Sequence, residues 1–352
     1  MKNIFLLVIV LSALTNSCKQ TDIDYSNSGN TKYKQKDYKG AIVDYTKAIE
    51  INPDNPAAYF RRAAAKDAEK DFVGALADYD MCIKLNPKGA NAYVNRGCIK
   101  DQLKDYKGAI ADFNIAIEVN PTLALAYYNR GFKKEKYGDT LGAMDDYTKA
   151  IEINPKYDSA YYNRGIIKYN LKDYNGSIAD YSKVIAINPN DTSAYNNRGA
   201  AKFKQKDYKG ALDDYTKAIE INPNYSAAYV GRGIIKYDLK DYSNSLVEYT
   251  KAIEIDPTDE KAYYCRAITK TSLVDYKGAI DDYTNAIEIN PDYAFAYCNR
   301  GILMMKLKEN DKACLDFYKA AQLGDAKAYE NIYKYCKWLL MFAVNFTMRL
   351  TL

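Results

Sequence analysis

Apolar and polar positions along this chain follow helical spacing, broken at fixed intervals by an Asn-Pro or Asp-Pro pair. The pairs fall at Asn52-Pro53, Asn86-Pro87, Asn120-Pro121, Asn154-Pro155, Asn188-Pro189, Asn222-Pro223, Asp256-Pro257 and Asn290-Pro291, and successive prolines are 34 residues apart throughout. Within one period, Tyr195, Arg198, Gly199 and Lys202 sit at i, i+3, i+4 and i+7, which is one face of a helix. Ala211, Tyr215, Ala218, Ile219 and Asn222 carry the same spacing through the second half. Between the halves, Asp207 is placed to accept a hydrogen bond from the orphan N–H groups of the second helix. Pro223 lacks the donor needed to continue that helix and disfavours the helical region for Asn222. Each period therefore predicts two short antiparallel helices. Gly199, Ala211 and Ala218 allow close approach, and the tyrosines fill the space between.

These residues resemble the tetratricopeptide repeat family, whose pattern places an aromatic, Leu-Gly and Tyr in the first helix and Ala, an aromatic and Pro in the second. Ala41, Tyr45, Ala48 and Pro53 match the second-helix part, as do Ala211, Tyr215, Ala218 and Pro223. The first helix departs from the pattern: Tyr replaces Trp, as in Tyr59 and Tyr93, Arg replaces Leu, and Lys mostly replaces the later Tyr. The resemblance covers residues 22–325 and implies an all-α, right-handed α-solenoid of about nine helical hairpins with a C-terminal capping helix. The ninth unit keeps Tyr297, Arg300, Gly301, Ala313, Phe317 and Ala320 but ends in Gly324, a residue suited to a helix C-terminus. Residues 326–337 are expected to form the polar capping helix. The apolar tail 338–352 fits no repeat; it could extend that helix, dock on the last repeat or be unrelated to the fold.

An arginine recurs in each first helix, at Arg62, Arg96, Arg130, Arg164, Arg198, Arg232, Arg266 and Arg300, with a Lys four residues later in all but the last. Like charges at that spacing repel on a helix, so acids are expected opposite them. They occur directly before the aromatic of each second helix, at Asp78, Asp112, Asp146, Asp180, Asp214, Glu248, Asp282 and Asp316. A repeated Arg–Asp brace is the reading, favoured by the fork geometry of guanidinium; a ladder that binds a polyanion is the alternative.

Family resemblance implies that first-helix residues off the packing stripe line a concave groove. One row runs Phe60, Val94, Tyr128, Tyr162, Asn196, Val230, Tyr264 and Cys298. A second contains Phe132 and Ile166, and a third contains Tyr169, Phe203 and Tyr237. These rows vary while the packing rows do not. Their central aromatics, with Asn129 and Asn163 beside them, suit a peptide held by ring anchors and amide hydrogen bonds.

Composition narrows the chemistry. The chain of 352 residues has 36 Tyr but no His, so imidazole general bases, imidazole metal ligands and Ser-His or Cys-His pairs are excluded. A formal charge of +5, with both signs interspersed, gives no basic stripe, and no nucleic-acid partner is expected. The cysteines show no metal-ligand spacing, and no cofactor or metal is expected. Cys265–Cys298 and Cys314–Cys336 are the disulfide pairings considered. The adjacent acids Asp145-Asp146, Asp213-Asp214 and Asp281-Asp282 diverge on a helix and do not form a cation site.

Lys2, the apolar run Ile4–Leu14 and Ser17-Cys18 have the proportions of an export signal. A small residue before Cys resembles a bacterial lipoprotein box, which implies acylation at Cys18. Thr15 and Asn16 depart from that box, and Leu14 stands one place early. Plain secretion and a retained anchor are the alternatives. The expected organisation is signal 1–17, tether 18–30 overlapping the first repeat, and the array 22–325. The expected function is a non-enzymatic protein–protein scaffold lipid-anchored in the bacterial envelope, with a receptor for a glycan or peptidoglycan-type ligand as the alternative.

Overall fold

In the computed structural model, which describes residues 21–336, the 34-residue period resolves into helix pairs. The first four hairpins are α1 (Asp22–Lys34) with α2 (Tyr38–Ile51), α3 (Pro56–Ala68) with α4 (Phe72–Leu85), α5 (Ala90–Gln102) with α6 (Tyr106–Val119), and α7 (Ala124–Lys136) with α8 (Thr140–Ile153). The next are α9 (Asp158–Asn170) with α10 (Tyr174–Ile187), α11 (Thr192–Lys204) with α12 (Tyr208–Ile221), and α13 (Ser226–Asp238) with α14 (Tyr242–Ile255). Last come α15 (Glu260–Ser272) with α16 (Tyr276–Ile289), α17 (Ala294–Lys306) with α18 (Asn310–Gln322), and the capping helix α19 (Ala326–Tyr335). The fold is an all-α tandem repeat of solenoid type, with no strand among the described residues.

The signals that delimit these helices are local. Asp207 accepts from the Gly210 N–H at 3.0 Å, and Asp37, Asp71, Asp105, Asp139, Asp173 and Asp275 do the same to the residue three places on. At the other end, the side chains of Asn120, Asn154, Asn188, Asn222, Asp256 and Asn290 accept from the backbone two residues on, an Asx-turn around each Pro.

Between the two helices of every hairpin one residue takes a left-handed backbone. It is Gly only at Gly138 (φ 88) in this register; elsewhere it is Lys36, Lys70, Lys104, Lys172, Lys206, Lys240, Val274 or Lys308, with φ of 63–66. The geometry of the turn thus overrides side-chain preference at eight places.

Contacts divide the chain into two units, residues 1–167 and 168–352. In each, the second-helix aromatic is buried against the small residue of the paired first helix. In the first unit a Cβ added at Gly97 would lie 2.9 Å from the Phe113 ring, and in the second one at Gly233 would lie 2.7 Å from Tyr249. Ala41, Ala75, Ala109, Ala143, Ala211, Ala279 and Ala313 are fully buried beside these rings. Close helix approach and a large buried ring are therefore one arrangement.

The tether expected through residue 30 gives way to helix at Asp22. Tyr25, Gly29 and Lys32 stand one period before Tyr59, Ala63 and Lys66, and Gly29 lies under the Tyr45 ring. At the other end Gly324 adopts φ 91 after α18, and a disulfide joins Cys314 of α18 to Cys336 after α19. The other pairing considered is not formed: Cys265 and Cys298 are free. Cys298 accepts from Asn331 of the capping helix α19 at 3.7 Å. Residues 1–20, with Cys18, and the tail 338–352 lie outside the described residues.

Candidate functional site

The basic ladder faces inward. Arg62 donates through Nε and Nη2 to Asp78 at 2.8 and 2.7 Å, and Lys66 Nζ sits 2.8 Å from the same carboxylate. Its remaining arm, Nη1, donates to Thr46 of the preceding second helix. Arg96, Arg130, Arg198, Arg266 and Arg300 grip Asp112, Asp146, Asp214, Asp282 and Asp316 with the same fork, and Arg232 bonds Glu248. The Nη1 partners one helix back are Asp80, Asn114, Ser182, Thr216, Thr250 and Thr284, and Arg164 donates to Thr148. Each guanidinium also lies over the Tyr three residues earlier, as Arg198 does over Tyr195 at 5.5 Å. Lys168 pairs with Asp180 at 2.9 Å.

One arginine therefore links three helices: its own, its partner in the hairpin and the second helix of the hairpin before. The acids are buried, and the Asp112 carboxylate holds the Arg96 guanidinium above its ordinary pKa. With Nε, Nη1 and Nη2 engaged, an external phosphate would have to displace a carboxylate to bind here. The adjacent acids part as a helix requires: Asp145, Asp213 and Asp281 are exposed while Asp146, Asp214 and Asp282 are buried. Among the described residues no group of acids and cysteines could hold a metal ion.

The groove residues fall into two groups. In the first unit Tyr128 is half-buried, stacked near Phe132 with centroids 6.4 Å apart, while Phe132 is 44% exposed under Lys133. Tyr162, Asn163 and Ile166 are half-buried. The amides expected to meet a partner point instead at neighbours: Asn163 donates to the Tyr128 and Tyr147 hydroxyls at 3.3 and 3.4 Å, and Asn129 donates to Cys98 Sγ. Buried tyrosine hydroxyls need partners, and the amide one hairpin on supplies them.

In the second unit Tyr169, Phe203 and Tyr237 each close the turn of their own hairpin against Tyr174, Tyr208 and Tyr242, at 5.3–5.8 Å between centroids. Tyr264 packs on Tyr283 and Tyr293, and its hydroxyl accepts from Asn299 at 3.0 Å. These rings are half-buried. Burial pushes the thiols of Cys98, Cys265 and Cys298 up to about 11, so they are protonated at neutral pH and poor nucleophiles.

Open space lies elsewhere. In the first unit, a cavity of about 570 Å³ is lined by Phe60, Arg61, Cys82, Lys88 and Gly89 among others, and a second of about 470 Å³ adjoins Phe60, Arg61, Tyr33 and Tyr45. Phe60 and Arg61 border both. The position of Gly89 varies between periods, with Tyr at Tyr157, Tyr225 and Tyr293 and Asn55, Leu123, Asp191 and Asp259 in the others, and it lacks a side chain only here.

Comparison with known proteins agrees with the repeat geometry. Residues 192–225, and again 90–123 and 226–259, match family models described as tetratricopeptide repeat, and 29–66, 136–172, 167–206 and 272–308 match one described as TPR repeat. The chain belongs to the tetratricopeptide repeat family, which is generally a non-catalytic protein-interaction fold. Among solved structures it is similar to a tetratricopeptide repeat protein from Parabacteroides merdae, at 23% identity and TM-score 0.57, covering 70% of this chain and 97% of that one. It is also similar to the C-terminal part of a TPR repeat-containing protein from Cytophaga hutchinsonii, at 20% identity and TM-score 0.56, covering 66% of this chain and 96% of that one. Pseudomonas aeruginosa pilF matches at 18% identity and TM-score 0.52, covering 60% and 96%. No curated protein matches the chain in sequence.

Proposed function

We propose that the chain is a non-enzymatic scaffold that binds partner peptides or proteins along the variable rows of its first helices. The supporting observation is the contrast between rows. The constant positions are consumed by the arginine ladder and the buried rings, whereas variable positions such as Phe132 leave apolar surface open. The test is affinity capture from envelope extracts with the wild type and a Phe132→Ala, Tyr169→Ala, Phe203→Ala variant. A specific bound protein should fall about tenfold or more with the variant, as expected for loss of aromatic anchors. Capture of glycan without protein would favour the receptor alternative, and an unchanged protein set would sink the groove reading.

The scaffold is proposed to be tethered in the bacterial envelope through a lipid on Cys18. Support comes from the order of Lys2, the apolar run and Ser17-Cys18, and from the Cys314–Cys336 disulfide, which suits an oxidising compartment. Among the described residues no helix is long and apolar enough to cross a membrane. Cells fed labelled fatty acid should label the wild type and not Cys18→Ser; equal labelling of the two would remove the anchor.

A further inference from the structure

Three rings meet between successive hairpins at one place in each unit. In the first, Tyr128 lies 5.8 Å from Tyr147 and 4.9 Å from Tyr157; in the second, Tyr264 lies 5.7 Å from Tyr283 and 4.9 Å from Tyr293. Two periods before the first of these sets, Phe60 and Tyr79 take the first two places, 5.6 Å apart. The third place is Gly89.

Glycine is not required there by the backbone. Gly89 has φ −80 and ψ 77, and Tyr293, its counterpart in the second unit, has φ −79 and ψ 76. A tyrosine could occupy position 89 with the same main chain. With glycine the third place holds no side chain, and Phe60 and Gly89 both line the 570 Å³ cavity. That volume is within the range of small-ligand pockets, about 300–1,000 Å³. Its lining includes Arg61 and Lys88 and no carboxylate, and neither cation forms an ion pair among the described residues.

We propose that this socket receives the aromatic side chain of a partner peptide whose flanking residues are acidic. The guest ring takes the position that Tyr157 and Tyr293 hold in the complete sets, against Phe60. Arg61 and Lys88 attract the acidic flanks and disfavour a basic peptide. The inference rests on the scaffold reading and adds to it the class of peptide and the place where it enters.

The probes are three acetylated tripeptide amides, Asp-Tyr-Asp, Asp-Leu-Asp and Lys-Tyr-Lys, titrated into the full chain and followed by NMR. Asp-Tyr-Asp should bind about tenfold more tightly than either of the others, the size expected of one ring–ring contact plus charge selection. Gly89→Tyr should abolish that preference while melting no lower than the wild type, because the new ring completes the set. Gly89→Ala, whose Cβ would meet Asn86 at 3.2 Å but leaves the face of Phe60 open, should retain it. Equal binding of Asp-Leu-Asp, no binding of Asp-Tyr-Asp to the wild type, or binding that survives Gly89→Tyr would each overturn the socket. An envelope partner captured equally by the wild type and Gly89→Tyr would leave the scaffold standing and remove the socket alone.

Discussion

Asp214→Ala should lower stability by about 3 kcal/mol, while Asp213→Ala, one residue away, should change it by less than about 0.5 kcal/mol. Asp213 is exposed, and Asp214 is buried between Arg198, whose Nη2 is 2.6 Å away, and Lys202 at 2.8 Å. Forming such a pair gains little, because the Coulomb attraction mainly offsets desolvation. Removing one partner is different. Two cations that are less than a quarter exposed would lose their counter-charge, and water reaches them only in part. The cost is therefore that of an uncompensated buried charge rather than of one surface salt bridge. Urea midpoints of the two variants decide the matter, and identical midpoints would mean that the ladder is decoration on an apolar core.

The second large effect has the opposite sign. Val274→Gly should raise stability by about 1 kcal/mol, read as a higher melting temperature. Val274 is a β-branched residue at φ 64, where its Cβ crowds the following carbonyl, and it is 66% exposed, so little packing is lost with the side chain. The left-handed conformation costs an L residue about 1–2 kcal/mol, and glycine's greater freedom in the unfolded chain takes back part of the gain. Gly138 already occupies the equivalent turn with φ 88 and nothing within 4 Å of its absent Cβ. A melting temperature equal to or below that of the wild type would show that the turn carries no strain.

The period, the helix pairing and the Arg–Asp register were legible in the sequence because each is stated many times at one spacing. Features that vary in residue type while keeping their geometry were harder to read. Thr46, Asp80, Asn114 and Ser182 all receive an arginine Nη1, yet no single residue type marks that place. The left-handed turns escaped for the same reason: Lys carries no conformational signal, and only Gly138 in register betrays them. The first helix of the first hairpin was read as overlapping a tether, because Ser28 stands where the later repeats have Arg. It bonds Asp44 at 2.6 Å, with Lys32 supplying the charge. Asn129 and Asn163 were assigned outward because spacing places an amide on a face but does not say which hydroxyl or thiol lies across from it. The socket beside Phe60 lies at Gly89, a position with no recurring residue type, so a search for recurring residues passes over it.

The disulfide after α18 makes the two ends of the array differ in kind. In a stack of repeats, fraying begins at a terminal unit, which has a neighbour on one side only. The bond between Cys314 and Cys336 closes a loop across a sequence separation of 22, worth about 3 kcal/mol against the unfolded chain. It holds α19 over the last hairpin by a link that thermal breathing cannot open. Among the described residues, the opposite end, α1, is held by hydrogen bonds, the Lys32–Asp44 ion pair and packing, with no covalent link. Under oxidising conditions fraying is therefore expected to begin at α1, and a reductant should open a second point of entry at α19.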